Sequence, residues 1–182
     1  MASYAPWLTT VATTGTLLLE IAVVVIIALL VLAHYKNYRA RQLLETTAHY
    51  VLPVLFGLTA LSILITLWYS EVLGFIPCGL CWMERVFLYP QAALMAVALW
   101  RRDRTRIFEY LIALSLAGAA IALYHHYLQM GGTSVLPCPA SGNADCGKRL
   151  SFEFGHITFP FMAFVIFAAN TIFATIALRF RS

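Results

Sequence analysis

Long stretches without a charged side chain alternate with short charged segments along the chain. A helix needs about 20 apolar residues to cross the hydrocarbon core of a bilayer. The long gaps between charged residues fit four such spans, predicted at 49–69, 82–100, 107–127 and 157–178. A fifth, 14–34, contains the run 21–33 without one polar side chain. The pattern therefore predicts five transmembrane helices.

The same runs decide between helices and membrane strands. Strands of a transmembrane β-barrel alternate in polarity, whereas the run 21–32 is apolar on every side. A cleaved signal peptide opens with positive charge, but residues 1–19 carry no charged side chain, so we expect the first helix to be retained. The predicted fold class is an all-α integral membrane protein.

Composition supports this class and excludes others. Of 182 residues, 62% are hydrophobic and 11% are charged. Soluble domains are about half apolar and a quarter charged. Disordered, coiled-coil and nucleic-acid-binding proteins are excluded, and the expected surroundings are membrane lipid.

The positive charges predict the orientation, because Lys and Arg concentrate in cytoplasmic loops. Nine of the twelve lie on one side if the five spans alternate. They are Lys36, Arg39, Arg41, Arg101, Arg102, Arg104, Arg106, Arg179 and Arg181. The N-terminus is then outside and the C-terminus cytoplasmic, with outer loops at 70–81 and 128–156.

Glu20 and Pro90 lie inside predicted spans. Glu20 is placed about 6 to 9 Å below the outer boundary, where its carboxylate can reach the headgroups. Pro90 is expected to kink the third span.

All four cysteines fall in the two outer loops. They are Cys78 and Cys81 in the first, and Cys138 and Cys146 in the second. An even number of cysteines on the oxidising face of a membrane favours disulfide chemistry.

The first pair forms a C-x-x-C motif at a predicted helix start. Free backbone N–H groups and the helix dipole stabilise a thiolate there, and such pairs have lowered thiol pKa values. Arg85 follows Cys81 by four residues, one turn deeper on the same face. A charge at this depth indicates a functional site. The alternative is that Arg85 reaches the outer headgroups or pairs with Glu84.

The second pair encloses a loop rich in Gly and Pro, which we expect to be irregular and suited to thiol exchange with another protein. Three interpretations compete: a four-cysteine zinc site, inert disulfide staples, and a redox relay. The C-x7-C spacing is loose for zinc, and Trp82 after Cys81 excludes the C-x-x-C-H motif of covalent haem. We favour the relay and predict no metal.

A relay needs an electron acceptor, and no dinucleotide-binding fingerprint is present. A lipid-dissolved quinone would meet the need, with Cys81 as electron donor and Arg85 polarising a ring oxygen. His125 and His126 are further candidates for this pocket. Adjacent helical residues point about 100° apart, so at most one would face it. The alternative for both is an aromatic belt at the headgroups.

Several motifs together resemble the disulfide bond formation protein B (DsbB) family, including its shorter BdbC variant. The segment PCGLCWMER with the following Tyr-Pro resembles the family signature C-x-x-C-W/I-x-x-R-x-x-x-Y-P. The segments YHHYLQ (124–129) and ITFPF (157–161), and the loop with the second cysteine pair, resemble family features in the same order. The resemblance covers about residues 48–178.

The resemblance implies a four-helix bundle that holds a quinone, ubiquinone or menaquinone, near its outer face. By it, Cys78 and Cys81 are the quinone-linked pair, with Cys81 nearest the ring and Arg85 binding the quinone. Cys138 would form the mixed disulfide with the client, and Cys146 would exchange with Cys78. Counting from Tyr124 favours His126 as the quinone-binding histidine, whereas counting back from Gln129 favours His125.

The client implied by the family is a thioredoxin-like extracytoplasmic dithiol protein, similar to DsbA. The expected location is the bacterial cytoplasmic (inner) membrane, with the active site on its extracytoplasmic face. Most family members have four spans. We therefore divide the chain into 1–47, an extra N-terminal transmembrane helix with a basic cytoplasmic connector, and 48–182, the bundle.

The resulting prediction is a membrane thiol:quinone oxidoreductase that reoxidises a soluble dithiol oxidase. One rival is a quinone reductase of the vitamin K epoxide reductase type, in which the loop pair precedes the C-x-x-C. Here the C-x-x-C comes first. The other rival is a non-enzymatic membrane protein with disulfide-stapled or zinc-binding outer loops.

Overall fold

Five long helices form the part of the chain that the computed structural model describes, residues 6–35, 37–102, 106–133, 145–149 and 151–180. They are α1 (Pro6–His34), α2 (Tyr38–Leu67), α3 (Gly79–Arg101), α4 (Ile107–Gln129) and α5 (Phe159–Phe180). A π-helical turn over Trp68–Val72 extends α2. The predicted all-helical class is confirmed.

Four helical segments among the described residues are long and apolar enough to cross a membrane. They are Trp7–His34, Tyr38–Val72, Ile107–Gln129 and Phe159–Phe180. Helix α3 has 23 residues, enough to span, but Glu84, Arg85 and Gln91 make it too polar to be counted with them. The chain is thus a multi-pass helical membrane protein, and a fifth crossing by α3 stays a prediction.

Helix α2 begins well before the predicted boundary at residue 49, so most of the basic connector is helical. Asn37 caps this helix, because its side-chain oxygen accepts from the N–H groups of Arg39 and Ala40. Arg41 and Glu45 add an ion pair of 3.0 Å one turn apart. Charged residues form helices well outside the hydrocarbon, so apolar length alone places this helix start too late.

Helix α1 likewise begins earlier than residue 14. Its first turns contain threonines whose hydroxyls donate back to the helix, as Thr13 does to the Thr9 carbonyl at 2.9 Å and Thr16 to the Ala12 carbonyl at 2.8 Å. A hydroxyl satisfied by its own helix is compatible with an apolar environment. The threonines near the N-terminus therefore do not interrupt the helix.

The helices α2 to α5 pack in a ring, in which α4 lies between α3 and α5, and α2 contacts both α3 and α5. All four contribute to one buried apolar cluster. Helix α1 lies outside the ring against α2 and α5, where Leu44, Ala48 and Ile176 are buried beneath it. In α4, Gly118 allows the ring of Phe167 to approach, because a Cβ there would lie 2.5 Å from that ring.

A buried polar network crosses the middle of the bundle. It consists of one residue from each helix of the ring: Thr59, Gln91, Ser115 and Asn170, all at most 1% exposed. The Gln91 side-chain oxygen accepts from Ser115 at 2.9 Å and from Asn170 at 2.8 Å, and Asn170 also donates to Thr59 at 3.3 Å. Polar groups in hydrocarbon need such partners, so the network fixes how the four helices face one another.

Helix α1 is attached to the bundle by two polar contacts. Thr9 and Tyr69 share a hydrogen bond of 2.7 Å between their hydroxyls. The Glu20 carboxylate lies 3.4 Å from Nε2 of His156, just before α5, and its reach to the headgroups stays a prediction. The extra helix thus contacts the segment that precedes α5.

Candidate functional site

Cys78 is the N-cap residue of α3. Its backbone is extended (φ −72, ψ 170), and its sulfur accepts the backbone N–H of Cys81 at 3.3 Å. The sulfur replaces the oxygen of an ordinary capping side chain and lies at the positive end of the helix dipole. This end of α3 therefore favours a negative charge on Cys78.

The two sulfurs of the C-x-x-C lie together as free thiols, 2.9 Å apart, with Cys78 buried and Cys81 half-buried. The hydrogen bond from the Cys81 thiol, and a further one from His125, lower the pKa of Cys78 to about 4, although burial opposes the shift. The same hydrogen bond raises the pKa of Cys81 above its usual range. The reduced pair is therefore a Cys78 thiolate beside a Cys81 thiol.

His125 of α4 contacts both this thiolate and an acid. Its Nε2 lies 3.6 Å from the Cys78 sulfur, and its Nδ1 lies 2.8 Å from a carboxylate oxygen of Glu84 on α3. The imidazole is 1% exposed. Glu84 was considered from sequence only as an alternative partner for Arg85.

His126 points elsewhere. Its Nδ1 lies 2.9 Å from the hydroxyl of Thr158, and its ring lies 5.0 Å from that of Phe161 at the start of α5. The two histidines thus face different helices, as neighbours on a helix must. The structure brings His125, but not His126, to the cysteine pair.

Arg85 is 7% exposed and faces α2. It donates to the Thr66 carbonyl at 3.0 Å and to the Ser70 hydroxyl at 3.2 Å, and its guanidinium lies 5.1 Å from the centre of the Trp82 ring. Ser70 lies in the π-helical turn, a feature often found at functional sites. The alternative in which Arg85 pairs with Glu84 is wrong, because the ion pair of Glu84 is with His125.

Cys146 packs against the C-x-x-C. It is 2% exposed, takes part in a disulfide, and shares an apolar cluster with Cys78 and Leu128. Its segment is tied to the end of α4, because Gln129 donates to the Lys148 carbonyl at 3.3 Å and Arg149 donates to the Gln129 carbonyl. The predicted site residue Cys138 lies outside the described residues.

One group of side chains among the described residues could hold a metal ion. The two sulfurs of the C-x-x-C and a ring nitrogen of His125 lie within 4.8 Å of one another. A disulfide-bonded Cys146 cannot serve as a thiolate ligand. In this structure Cys146 is therefore not available as one of the four thiolate ligands of the zinc site considered from sequence, and the absence of a metal stays a prediction.

The surface beside Cys81 has the chemistry that a quinone requires. Trp82 is 53% exposed and Val86 is 58% exposed, so they present an apolar surface next to the half-buried thiol. Within the described residues, the hydrogen bonds of Arg85 both use Nη2, which leaves Nη1 and Nε to donate to a ligand oxygen. Two apolar grooves, near Trp68 and near Tyr50, lie away from the cysteines.

The protein is a bundle of membrane helices in which a C-x-x-C at the start of one helix forms a thiolate. Cys146, one cysteine of the second pair, packs against this motif. These features define a membrane thiol–disulfide oxidoreductase. Comparison with known proteins agrees. Residues 47–177 match the family Disulfide bond formation protein DsbB. The chain belongs to this family, whose members are disulfide-forming oxidoreductases.

Individual relatives align over most of their length. The SPbeta prophage-derived disulfide bond formation protein B of Bacillus subtilis (strain 168) is 37% identical over 63% of this chain and 76% of its own. The Probable disulfide formation protein C of Bacillus cereus is 30% identical over 74% of this chain and 96% of its own. The Disulfide bond formation protein C of Bacillus subtilis (strain 168) is 35% identical over 62% and 81%. No solved structure matches the chain.

Proposed function

We propose that the protein is a membrane thiol:quinone oxidoreductase that reoxidises a thioredoxin-like, DsbA-like extracytoplasmic dithiol protein. The observation that carries the proposal is the thiolate-forming pair of Cys78 and Cys81, with the buried Arg85 one turn below and Cys146 in contact above. A pair whose reduced form is stabilised as a thiolate is a strong oxidant when disulfide-bonded. That is the property a client oxidase requires.

Electrons pass inward through two disulfide exchanges. The two thiols of the client reduce the Cys138–Cys146 disulfide, with Cys138 forming the mixed disulfide, and Cys146 then exchanges with Cys78. Each exchange breaks one disulfide and forms another, so two electrons and two protons move per step. The contact between Cys146 and Cys78 in one apolar cluster supports the second exchange.

The terminal acceptor is a quinone, ubiquinone or menaquinone, which when bound accepts two electrons and two protons and becomes the quinol. Cys81 faces it as the donor, because this thiol is half-buried beside the exposed Trp82. Arg85 would hold a ring oxygen of the quinone and polarise it. His125 borders the same site through Cys78, whereas His126, also a candidate, is separated from it by its contact with Thr158.

Helix α3 crosses the membrane as a fifth span, with the N-terminus outside and the C-terminus in the cytoplasm of a bacterial inner membrane. The charges that make α3 polar have partners inside the bundle: Glu84 with His125, and Arg85 with α2. Paired charges cost less in a membrane than isolated ones. The site then opens to the extracytoplasmic face, residues 48–182 form the catalytic bundle, and 1–47 are an addition to it.

The test uses purified protein in vesicles supplied with a reduced DsbA-like client, with and without added quinone. We expect client oxidation only with quinone, and its loss in Cys81→Ser, which retains a client adduct at Cys138. Ser62→Ala is a matched control, because this hydroxyl donates to the Leu58 carbonyl inside α2. Oxidation independent of quinone, or quinone reduction by Cys81→Ser, contradicts the proposal.

A further inference from the structure

A line of hydrogen bonds runs from an acid in α3 to the thiolate at its N-cap by way of α4. Glu84 lies 2.8 Å from Nδ1 of His125, and Nε2 of the same ring lies 3.6 Å from the Cys78 sulfur. The sulfur–nitrogen distance is within the longer range of hydrogen bonds to sulfur. An acid, an imidazole and a sulfur in this order form the arrangement that activates cysteine nucleophiles.

The geometry fixes the role of each ring nitrogen. With Nδ1–H donating to the Glu84 carboxylate, Nε2 is free to accept the Cys78 proton or, once protonated, to donate to the thiolate. The ring is 1% exposed and the Glu84 side chain 13% exposed, so water does not easily replace either partner. Any proton that leaves Cys78 toward the interior passes through His125.

The other charged groups around the ring do not take over this role. Cys81 donates to the Cys78 sulfur, and Arg85 is turned to α2. On α4, the neighbouring His126 pairs with Thr158 near α5. From the outer segments, His156 pairs with Glu20 of α1, and Arg149 donates to a carbonyl at the end of α4. Glu84 is thus the acid that faces the buried ring.

We propose that His125 is the proton acceptor for Cys78 and that Glu84 is a positioning residue that holds the ring and stabilises its charged form. The inference rests on the proposed function and adds a proton route to it. His125 holds the proton that Cys78 has given up. When the reduced pair closes, the S–H bond of Cys81 breaks and an S–S bond forms between the Cys78 thiolate and Cys81. The two electrons pass to the quinone with two protons, one from Cys81 and one from His125, and the product is the quinol.

The test reads the Cys78 thiolate directly and needs no quinone. In a Cys81→Ser background, whose hydroxyl can still donate to the sulfur, the rate of Cys78 alkylation is measured against pH and the modified peptide is identified by mass. We expect Glu84→Gln and His125→Gln to shift the midpoint upward by about one pH unit or more. In Glu84→Asp, which keeps the charge, the midpoint stays close to that of the Cys81→Ser protein. His126→Gln leaves the midpoint unchanged.

Circular dichroism of each variant checks that the helices remain intact. Glu84→Gln is used because Gln has nearly the same shape as Glu, so this change disturbs the packing least. Unchanged midpoints in both folded variants would overturn the inference, because a purely structural Glu84–His125 pair stabilises the fold without affecting the thiolate. Shifted midpoints together with a failure of the unmutated protein in the vesicle assay would support the relay and contradict the quinone function. The two proposals therefore fail separately.

Discussion

The guanidinium of Arg85 on α3 donates to the main-chain carbonyl of Thr66 on α2, with an N–O distance of 3.0 Å. That carbonyl lies just before the π-helical turn Trp68–Val72, where the regular pattern of helical hydrogen bonds changes. The charge is therefore held inside the bundle by a feature of the α2 backbone.

Replacing Arg85 tests its proposed contact with quinone. A hydrogen bond from a charged donor contributes about 1.5 to 3 kcal/mol, so we expect Arg85→Gln to raise the KM for quinone about tenfold or more. Arg85→Lys recovers little, because an ammonium cannot bridge α2 and a ligand as the planar guanidinium does. Steady-state rates at varied quinone concentration provide the measurement. An unchanged KM, with client binding intact, would exclude Arg85 from the quinone site.

The lowered pKa of Cys78 predicts how the reduced protein responds to acid. Because the folded pKa, about 4, lies below the usual value of 9.0, the thiolate stabilises the fold fully above about pH 9. This stabilisation is lost progressively as the pH falls toward 4. We expect the reduced protein to lose stability over this range relative to Cys78→Ser, whose hydroxyl does not titrate. Denaturation of both proteins at several pH values measures the difference, and parallel curves would contradict a low pKa.

Hydropathy alone was sufficient to predict most of the helices. The last two predicted spans, 107–127 and 157–178, agree within two residues with α4 and α5. The early starts of α1 and α2 were missed because threonines and charged residues outside the hydrocarbon continue a helix without raising its hydropathy. The sequence contains the cap, Asn37, but a search for apolar length does not use it.

The candidate site could be predicted only in its local parts. Cys78, Cys81 and Arg85 lie within one helical stretch, so their proximity follows from spacing. Glu84 and His125 are 41 residues apart, and their contact depends on how α3 and α4 pack. An acid inside a predicted span was the signal that could have identified Glu84, because such charges need a buried partner.

The polar network in the bundle predicts a measurable cost for removing its central member. Gln91→Leu takes away the acceptor shared by Ser115 and Asn170 and leaves both side chains buried without it. Polar contacts between membrane helices average about 0.6 kcal/mol and reach about 1.7, so we expect a loss of about 1 to 2 kcal/mol. Reversible unfolding in mixed micelles gives the free energy. Thr175→Ala is the control, because this hydroxyl donates within α5 to the Thr171 carbonyl; an equal loss in both variants would argue against the network.

The close approach of α4 and α5 predicts that Gly118 tolerates no side chain. A Cβ at this position would lie 2.5 Å from ring atoms of Phe167, which is fully buried, so Gly118→Ala forces the two helices apart. Overpacking of this kind costs about 1 to 3 kcal/mol. Gly57→Ala in α2 is the matched control, because a Cβ there meets nothing within 4 Å, and we expect it to be neutral or stabilising. Adding Phe167→Leu to Gly118→Ala should recover part of the lost stability, since the smaller side chain makes room for the new methyl group. Equal stability of Gly118→Ala and Gly57→Ala in the unfolding measurement would show that α4 and α5 do not pack this closely.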